Sequence, residues 1–467
     1  MKLLFLVILF SFQTQASLKE AARSYRNGKP RLSDLKRMIT NTVEAGYPIT
    51  AMPWLKEYIA NRGQVSSEVD KAIEAIIDAA GVKPFQTLDI EILDGVNSSS
   101  VKYVIAKKYF SRGKQTIALK YLNDVSSKSK VYPYAVHMKA VIHSLENRQE
   151  LAEQHFQDCI RYSDNLASSE KSKLKTKQYI MNRDYCIAGL ARAQFARRNF
   201  NKSDLSYLDV SKSSQVWPEI LFEEAWNSFY QGNYNRTLGK LVTYKAPVFS
   251  HVFKPEAEVL VALSYLKLCL YKDAKEAVDK FYDQYLTPAR GLRQFLKSQR
   301  DYSYYYKMAI DVEKGNMPRS PLLARVVSSI SNEQAYKEIA ESLQMALREA
   351  QEVKQMPKSR FQRAMWGNLR EVVNSQKTIL GSYIRNRAIA KYAELYRAFQ
   401  DMSYIKLEVL AQRKQRLYEI GKSSSGKRGD TRYIETNEKQ YFWSFNGEFW
   451  ADELGDYVFA LQSQCGA

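Results

Sequence analysis

The chain of 467 residues has little of what holds metals or staples small folds: four cysteines and four histidines (His137, His143, His155 and His251). No Cys-x-x-Cys occurs, and no Cys/His cluster has metal-ligand spacing, so no metal site is expected. Four cysteines over such a length do not make a disulfide scaffold. Cys159 and Cys186 fall in consecutive repeats and could form one optional bridge, but two small, buried, reduced side chains are the preferred reading. β-branched runs with period-two alternation are scarce, which argues against a sheet-based fold. After the N-terminus no apolar run reaches about 18 residues, so no transmembrane segment is expected in a mature chain. A nucleophile elbow, a dinucleotide fingerprint and an intact nucleotide loop are all missing. No cofactor and no enzymatic activity are therefore expected.

What is present is helical periodicity, and it repeats. Small residues recur at Ala106, Ala140, Ala191, Ala225 and Ala262, each followed twelve positions later by Ala118, Ala152, Ser203, Thr237 and Ala274. Four residues beyond each second member comes a larger side chain: Leu122, Phe156, Tyr207, Leu241 and Val278. The start-to-start steps are 34, 51, 34 and 37 residues. The 51-residue step holds an insertion around residues 163–177, where Lys171, Lys173, Lys175 and Lys177 alternate as a solvated loop or helix start. The links inside the units read Arg112-Gly113-Lys114, Glu146-Asn147-Arg148, Arg197-Arg198-Asn199-Phe200 and Gln231-Gly232-Asn233-Tyr234. Two units close with parallel phrases that end in Tyr132-Pro133 and Trp217-Pro218, where proline opens the next helix without losing a needed N–H.

This pattern resembles the tetratricopeptide repeat, a 34-residue pair of helices that cross closely at small residues. The family's early tryptophan and the glycine beside its first alanine are missing, and Cys269 stands where a turn glycine is usual. The resemblance implies an all-α solenoid of stacked hairpins, coiled as a right-handed superhelix whose first helices line a concave groove. Such grooves hold peptides or partner helices. On this alignment the first helices present Tyr103, Lys107 and Phe110, then Tyr134 and His137, then Tyr185, Arg192 and Phe195, then Phe222, Trp226 and Phe229. Aromatics interleaved with bases suit an extended, partly acidic peptide. Packing against the next hairpin is an equally weighted role for many of these rings.

The two ends carry separate information. Met1-Lys2, the apolar run Leu3–Phe12 and the small-residue site Thr14-Gln15-Ala16 read as a secretory signal. A periplasmic location in a Gram-negative bacterium follows as the expectation. The formal charge of +20 then points to anionic cell-wall or lipid surfaces, or to an acidic protein, and the signal argues against nucleic acid. Gly421–Asp430 is a basic Gly/Ser linker whose likeness to a phosphate loop fails, because Arg428 replaces the metal-binding hydroxyl and no strand precedes it. Beyond it, residues 441–457 hold seven aromatics, with Trp443, Phe449 and Trp450 as further candidate contacts. So many rings must dock on the helical body or on a partner. This segment resembles the C-terminal signature of envelope-associated tetratricopeptide proteins of gliding and predatory bacteria.

The expected order is a signal over 1–16, a helical cap or degenerate repeats over 17–97, and a repeat array over 98–290. Long helices follow over 291–420, then the linker and aromatic segment over 421–467. Pro357 should end one long helix, and the next, towards Ile420, should kink near Gly381 or Asp401. The expected role is a non-catalytic periplasmic scaffold that binds envelope proteins. The alternatives are a helical enzyme acting on cell-wall glycan, for which no acid in the C-terminal third stands out and Glu448→Gln would be the test, and a binder of anionic envelope polymer.

Overall fold

A computed structural model describes residues 16–25, 30–417, 431, 434, 436, 437 and 439–465, so Leu3–Phe12 and Gly421–Asp430 lie outside the described residues. The first helices are α1 (residues 16–24), α2 (Leu32–Glu44), α3 (Pro48–Ala60), α4 (Ser67–Ala80), α5 (Ile90–Asp94), α6 (Ser99–Ser111), α7 (Gln115–Asn123) and α8 (Tyr132–Leu145). Next come α9 (Gln149–Ser169), α10 (Lys173–Ala196), α11 (Phe200–Tyr207), α12 (Trp217–Tyr230), α13 (Tyr234–Val242), α14 (Pro255–Lys267) and α15 (Tyr271–Ser298). The last are α16 (Tyr302–Glu313), α17 (Pro321–Ser331), α18 (Gln334–Gln355) and α19 (Arg360–Leu417), and two short strands follow, β1 (Trp443–Ser444) and β2 (Tyr457–Val458). The fold is all-α, as the scarcity of alternating β-branched runs implies.

The close spacing of paired helices follows from the small residues. All ten repeat residues, from Ala106 and Ala118 to Ala262 and Ala274, have no exposed surface. Where the second member is a hydroxyl it bonds back across its own hairpin: Ser203 Oγ donates to the Ala191 carbonyl at 2.9 Å and Thr237 Oγ1 to the Ala225 carbonyl at 3.3 Å. A larger side chain at either position would hold the two backbones apart.

The turn of each unit repeats as well. Seven residues after each first alanine the backbone turns left-handed, at Gly113, Asn147, Arg198, Gly232 and Cys269, with φ between 57° and 78°. At the Gly113, Arg198, Gly232 and Cys269 turns, two hydrogen bonds cap the first helix. Gly113 and Lys114 donate to Phe110 and Tyr109, Arg198 and Asn199 to Phe195 and Gln194, Gly232 and Asn233 to Phe229 and Ser228, and Cys269 and Leu270 to Leu266 and Tyr265. This is the Schellman closure, for which glycine has no steric cost. Arg198 and Cys269 adopt it without that freedom.

Two compact units emerge, and they are not consecutive stretches of chain. One comprises residues 1–146 and 334–381, the other 147–333 and 382–467. The division falls inside the array read from the repeats, because α18 and the start of α19 supply apolar faces to the N-terminal helices. In the first unit, Ala346, Val353, Phe361, Met365, Leu369 and Val372 join one core with Leu35, Met38, Ile49, Trp54, Leu55 and Ile73. Phe361 stacks on Trp54 with ring centroids 5.7 Å apart. Asn368 Nδ2 donates to the Thr50 carbonyl at 3.0 Å. A separate cluster joins α6 and α7 to α8 through Ala106, Leu122, Val125, Ala135 and Ile142.

In the second unit, Cys159 and Cys186 are bonded to each other, tying α9 to α10, and Cys269 is bonded to Cys465. The reading of Cys159 and Cys186 as reduced thiols is thereby corrected: the same burial that favours small apolar side chains there also holds the two sulfurs together. Pro357 lies in the gap between α18 and α19, and α19 is helical from Arg360 to Leu417, including Gly381 and Asp401. Its buried positions (Leu380, Ile384, Ala388, Leu395, Ala398, Met402, Ile405 and Val409) keep 3-4 spacing along the later part, so one face stays in register with its packing partners. Phe399 lies against Phe281 there, with centroids 5.0 Å apart.

One buried carboxylate fixes α18 to α3. Glu349 accepts from the Ile49 N–H at 3.0 Å, the Thr50 N–H at 2.8 Å and Thr50 Oγ1 at 2.6 Å, and so caps a helix start from outside. Burial nevertheless pushes its carboxyl up to about 7 from 4.5, outweighing those donors.

Two outcomes follow for stability. Ala225→Leu should lower the unfolding free energy in denaturant by about 1–3 kcal/mol through overpacking, whereas a neutral result would show that the crossing is not tight. For Glu349, folding favours the protonated form, so its contribution is complete below pH 4.5 and is lost as pH rises through about 7. Denaturant titrations between pH 4.5 and 7.5 should show wild type losing up to about 3 kcal/mol relative to Glu349→Gln. Superimposable profiles would contradict this.

Candidate functional site: an aromatic pocket on α10, α11 and α12

Within the second unit, Arg192, Phe195, Tyr207, Glu223, Trp226 and Tyr230 line a pocket of about 350 Å³. Each comes from a repeat helix. Arg192 and Phe195 flank the crossing of α10, Tyr207 ends α11, and Glu223, Trp226 and Tyr230 occupy successive turns of α12. Arg192 holds Glu223 in a side-on fork, Nε to Oε2 and Nη2 to Oε1, both at 2.8 Å. Tyr207 donates its hydroxyl to the same Oε2 at 3.1 Å. Burial alone would lower the Arg192 guanidinium, but Glu223 overrides it and holds the group above its ordinary range. Burial and the Glu223 charge raise the Tyr207 phenol.

Rings continue outward from the pocket. Phe195 meets Tyr230 edge to face at 5.4 Å, and Tyr230 stacks on Phe200 at 6.0 Å. Trp226 reaches Phe229 at 5.4 Å and Phe229 reaches Tyr234 at 5.2 Å. Tyr230 is 59% exposed, and Phe195, Trp226 and Phe229 are half-buried. Such a patch offers flat apolar faces beside one neutralised charge pair, surfaces on which a ligand can stack and be buried.

The other residues singled out from the sequence separate into two sets. Tyr103 and Phe222 are nearly fully buried and belong to hairpin cores. Phe110 and Tyr134 are half-buried against the core of α6, α7 and α8, and Tyr185 lies against the one around Ile187 and Trp217. Lys107 sits 5.4 Å over the Tyr103 ring, and His137 is half-buried. Packing thus claims most of these rings, while Arg192, Phe195, Trp226 and Phe229 stay at or beside the pocket. Sequence reasoning missed Glu223 and Tyr230 and placed Tyr207 only among the packing residues. Glu223 sits 31 residues from Arg192, a separation with no local signature.

The C-terminal segment docks on α13. Parallel strands β1 and β2 pair Trp443 with Tyr457 and Ser444 with Val458, and β2 crosses α13 at Gly239. A Cβ added at Gly239 would lie 1.7 Å from the Tyr457 carbonyl oxygen. Asn235 grips the chain, its Oδ1 accepting from the Leu461 N–H at 3.0 Å and its Nδ2 donating to the Leu461 carbonyl at 3.1 Å. Thr243 Oγ1 accepts from the Gly455 N–H at 3.0 Å. Consequently every residue from Asn235 to Val242 is buried. Beneath the segment Arg236 pairs with Asp204 at 2.9 Å and lies 4.7 Å from the Phe442 ring. Lys240 pairs with Glu224 at 2.5 Å. Lys212 reaches Asp456 at 2.7 Å. Phe449 is half-buried and lies against Phe445 and Tyr457; Trp443 and Trp450 remain 48% and 57% exposed.

Fold and site together define a helical-hairpin repeat protein with an aromatic pocket on its repeat helices. No protein-family model matches the chain, and no curated protein does. Among solved structures it is similar to one described as a circular tandem repeat protein with novel repeat topology and enhanced subunit contact surfaces, at 12% identity. The match covers 87% of this chain and 98% of that one, with a TM-score of 0.19. The class assignment rests on the hairpin geometry above. Among the described residues no helix is long and apolar enough to cross a membrane.

The close approach at Gly239 gives a direct test. Gly239→Ala should release residues after 440 from α13, seen as faster limited proteolysis of the C-terminal segment with the helical signal retained. Unchanged proteolysis would contradict the crossing.

Proposed function

We propose that this protein is a non-catalytic binding scaffold of tetratricopeptide type, exported to the periplasm, which holds an extended peptide segment of an envelope protein at the α10–α12 pocket. The observation that carries the reading is the pocket itself: half-exposed rings gathered around a forked Arg192–Glu223 pair on repeat helices. Stacking surfaces with fixed polar edges bind chains and leave them unchanged. The export signal and the surplus of bases over acids support an anionic partner in the envelope. The docked C-terminal segment offers Trp443 and Trp450 as a second exposed contact.

The test uses a photo-reactive amino acid at position 230, cross-linked in cells that make the full chain. One or a few envelope proteins should be captured, and the isolated partner should bind the Trp226→Ala variant about 30-fold more weakly, the loss expected at an aromatic anchor. Equal affinity for wild type and variant, with both folded by circular dichroism, would remove the pocket from the account.

A further inference from the structure

A second cavity, of about 510 Å³, opens beside α14 and is independent of the aromatic pocket. Its walls come from the end of α13 and the 243–254 linker, and from α14, α15 and α17. Three bases line it, Lys245, Lys254 and Arg325, against one acid, Glu258. Arg325 is half-buried, and among the described residues no carboxylate lies within ion-pair distance of it. Its guanidinium is instead held by neutral groups. Nε and Nη2 donate to the Val252 carbonyl at 3.3 and 3.2 Å, and Nη1 donates to the Tyr285 hydroxyl at 3.2 Å. Phe253 lies under it with its centroid 5.9 Å away.

These bonds use three of the five N–H donors of a guanidinium. Two are left over, on a side chain fixed in place by its other three bonds. Tyr285 is buried and its phenol is pushed above its ordinary value, so it stays neutral; because it accepts from Arg325, its own hydrogen is a further donor. Lys254 is only weakly paired, 4.0 Å from Glu256, with its ammonium 4.6 Å over the Phe222 ring. Leu241, Ala257 and Val261 contribute apolar lining to the same cavity. A half-buried, positioned and unneutralised guanidinium is costly unless an anion meets it, and cavities of this size take small molecules.

We propose that this cavity binds a small amphiphilic anion, whose phosphate or carboxylate head is held by Arg325 with Lys254 and Lys245 and whose apolar body lies against Leu241, Ala257 and Val261. The binding is non-covalent and leaves the molecule unchanged. Exposed Lys245, Pro247, Ser250 and Gln284 form the mouth, so the ligand enters from solvent.

Isothermal titration of the full chain with octyl phosphate, below its micelle concentration, tests this. One saturable site per chain should appear. Inorganic phosphate should bind at least tenfold more weakly, and octanol should not compete. Arg325→Gln should weaken octyl phosphate by about 10- to 100-fold, the range for losing a charged hydrogen bond. Lys254→Gln, at a half-exposed position, should weaken it less while leaving the melting curve unchanged, which separates binding from folding. Trp226→Ala should bind octyl phosphate like wild type. An absence of saturable binding, equal binding of octanol, or full affinity in both charge variants would overturn the proposal.

Discussion

The structure depends on how closely two helices of one hairpin can cross. Alanine at the first position, and alanine, serine or threonine at the second, let the backbones approach until a side-chain hydroxyl reaches the opposite carbonyl, as at Ser203 and Thr237. That spacing sets where the larger residues fall. Leu122, Phe156, Tyr207, Leu241 and Val278 can then fill the space to neighbouring helices, and a left-handed residue seven positions past the first alanine turns the chain back. Each unit buries a stripe it could not bury alone.

The same constraint explains why the second helix of one hairpin became a docking platform. α13 carries Gly239 on the side away from its partner helix α12, and the absent side chain admits the backbone of β2. Covering α13 on both sides encloses two ion pairs, Asp204–Arg236 and Glu224–Lys240, whose charges would otherwise face water. Burial raises the Glu224 carboxyl even with Lys240 bonded to it, while Arg236 and Lys240 outweigh burial at Asp204 and lower it. Cys269 joins the two themes. It occupies the left-handed turn position of its own hairpin and ends the C-terminal segment's path through its bond to Cys465.

Much of the hairpin geometry was legible in the sequence because it is local: a twelve-residue offset reports a crossing inside one unit, and a turn residue reports a reversal a few bonds away. What was not legible depends on distant partners. Nothing near Val353 or Met365 says that these side chains complete the core around Trp54, and nothing near Cys465 names Cys269. At the site, the aromatic spacing on α10 and α12 points to Phe195 and Trp226, but the same spacing serves packing and points equally to Tyr103 and Phe222, which are buried. Periodicity says which face a residue is on. It does not say whether another helix covers that face.

The most direct test of the tight-crossing account is native-state hydrogen exchange resolved to single helices. Paired helices that cross at alanine-sized residues should open together, so amides of α12 and α13 should share one opening free energy. Those of α13 should also exchange more slowly than those of α11, over which, among the described residues, no strand is laid. If α13 exchanged far ahead of α12 while α12 stayed closed, the hairpin would not be the cooperative unit, and the account built on its crossing would be contradicted.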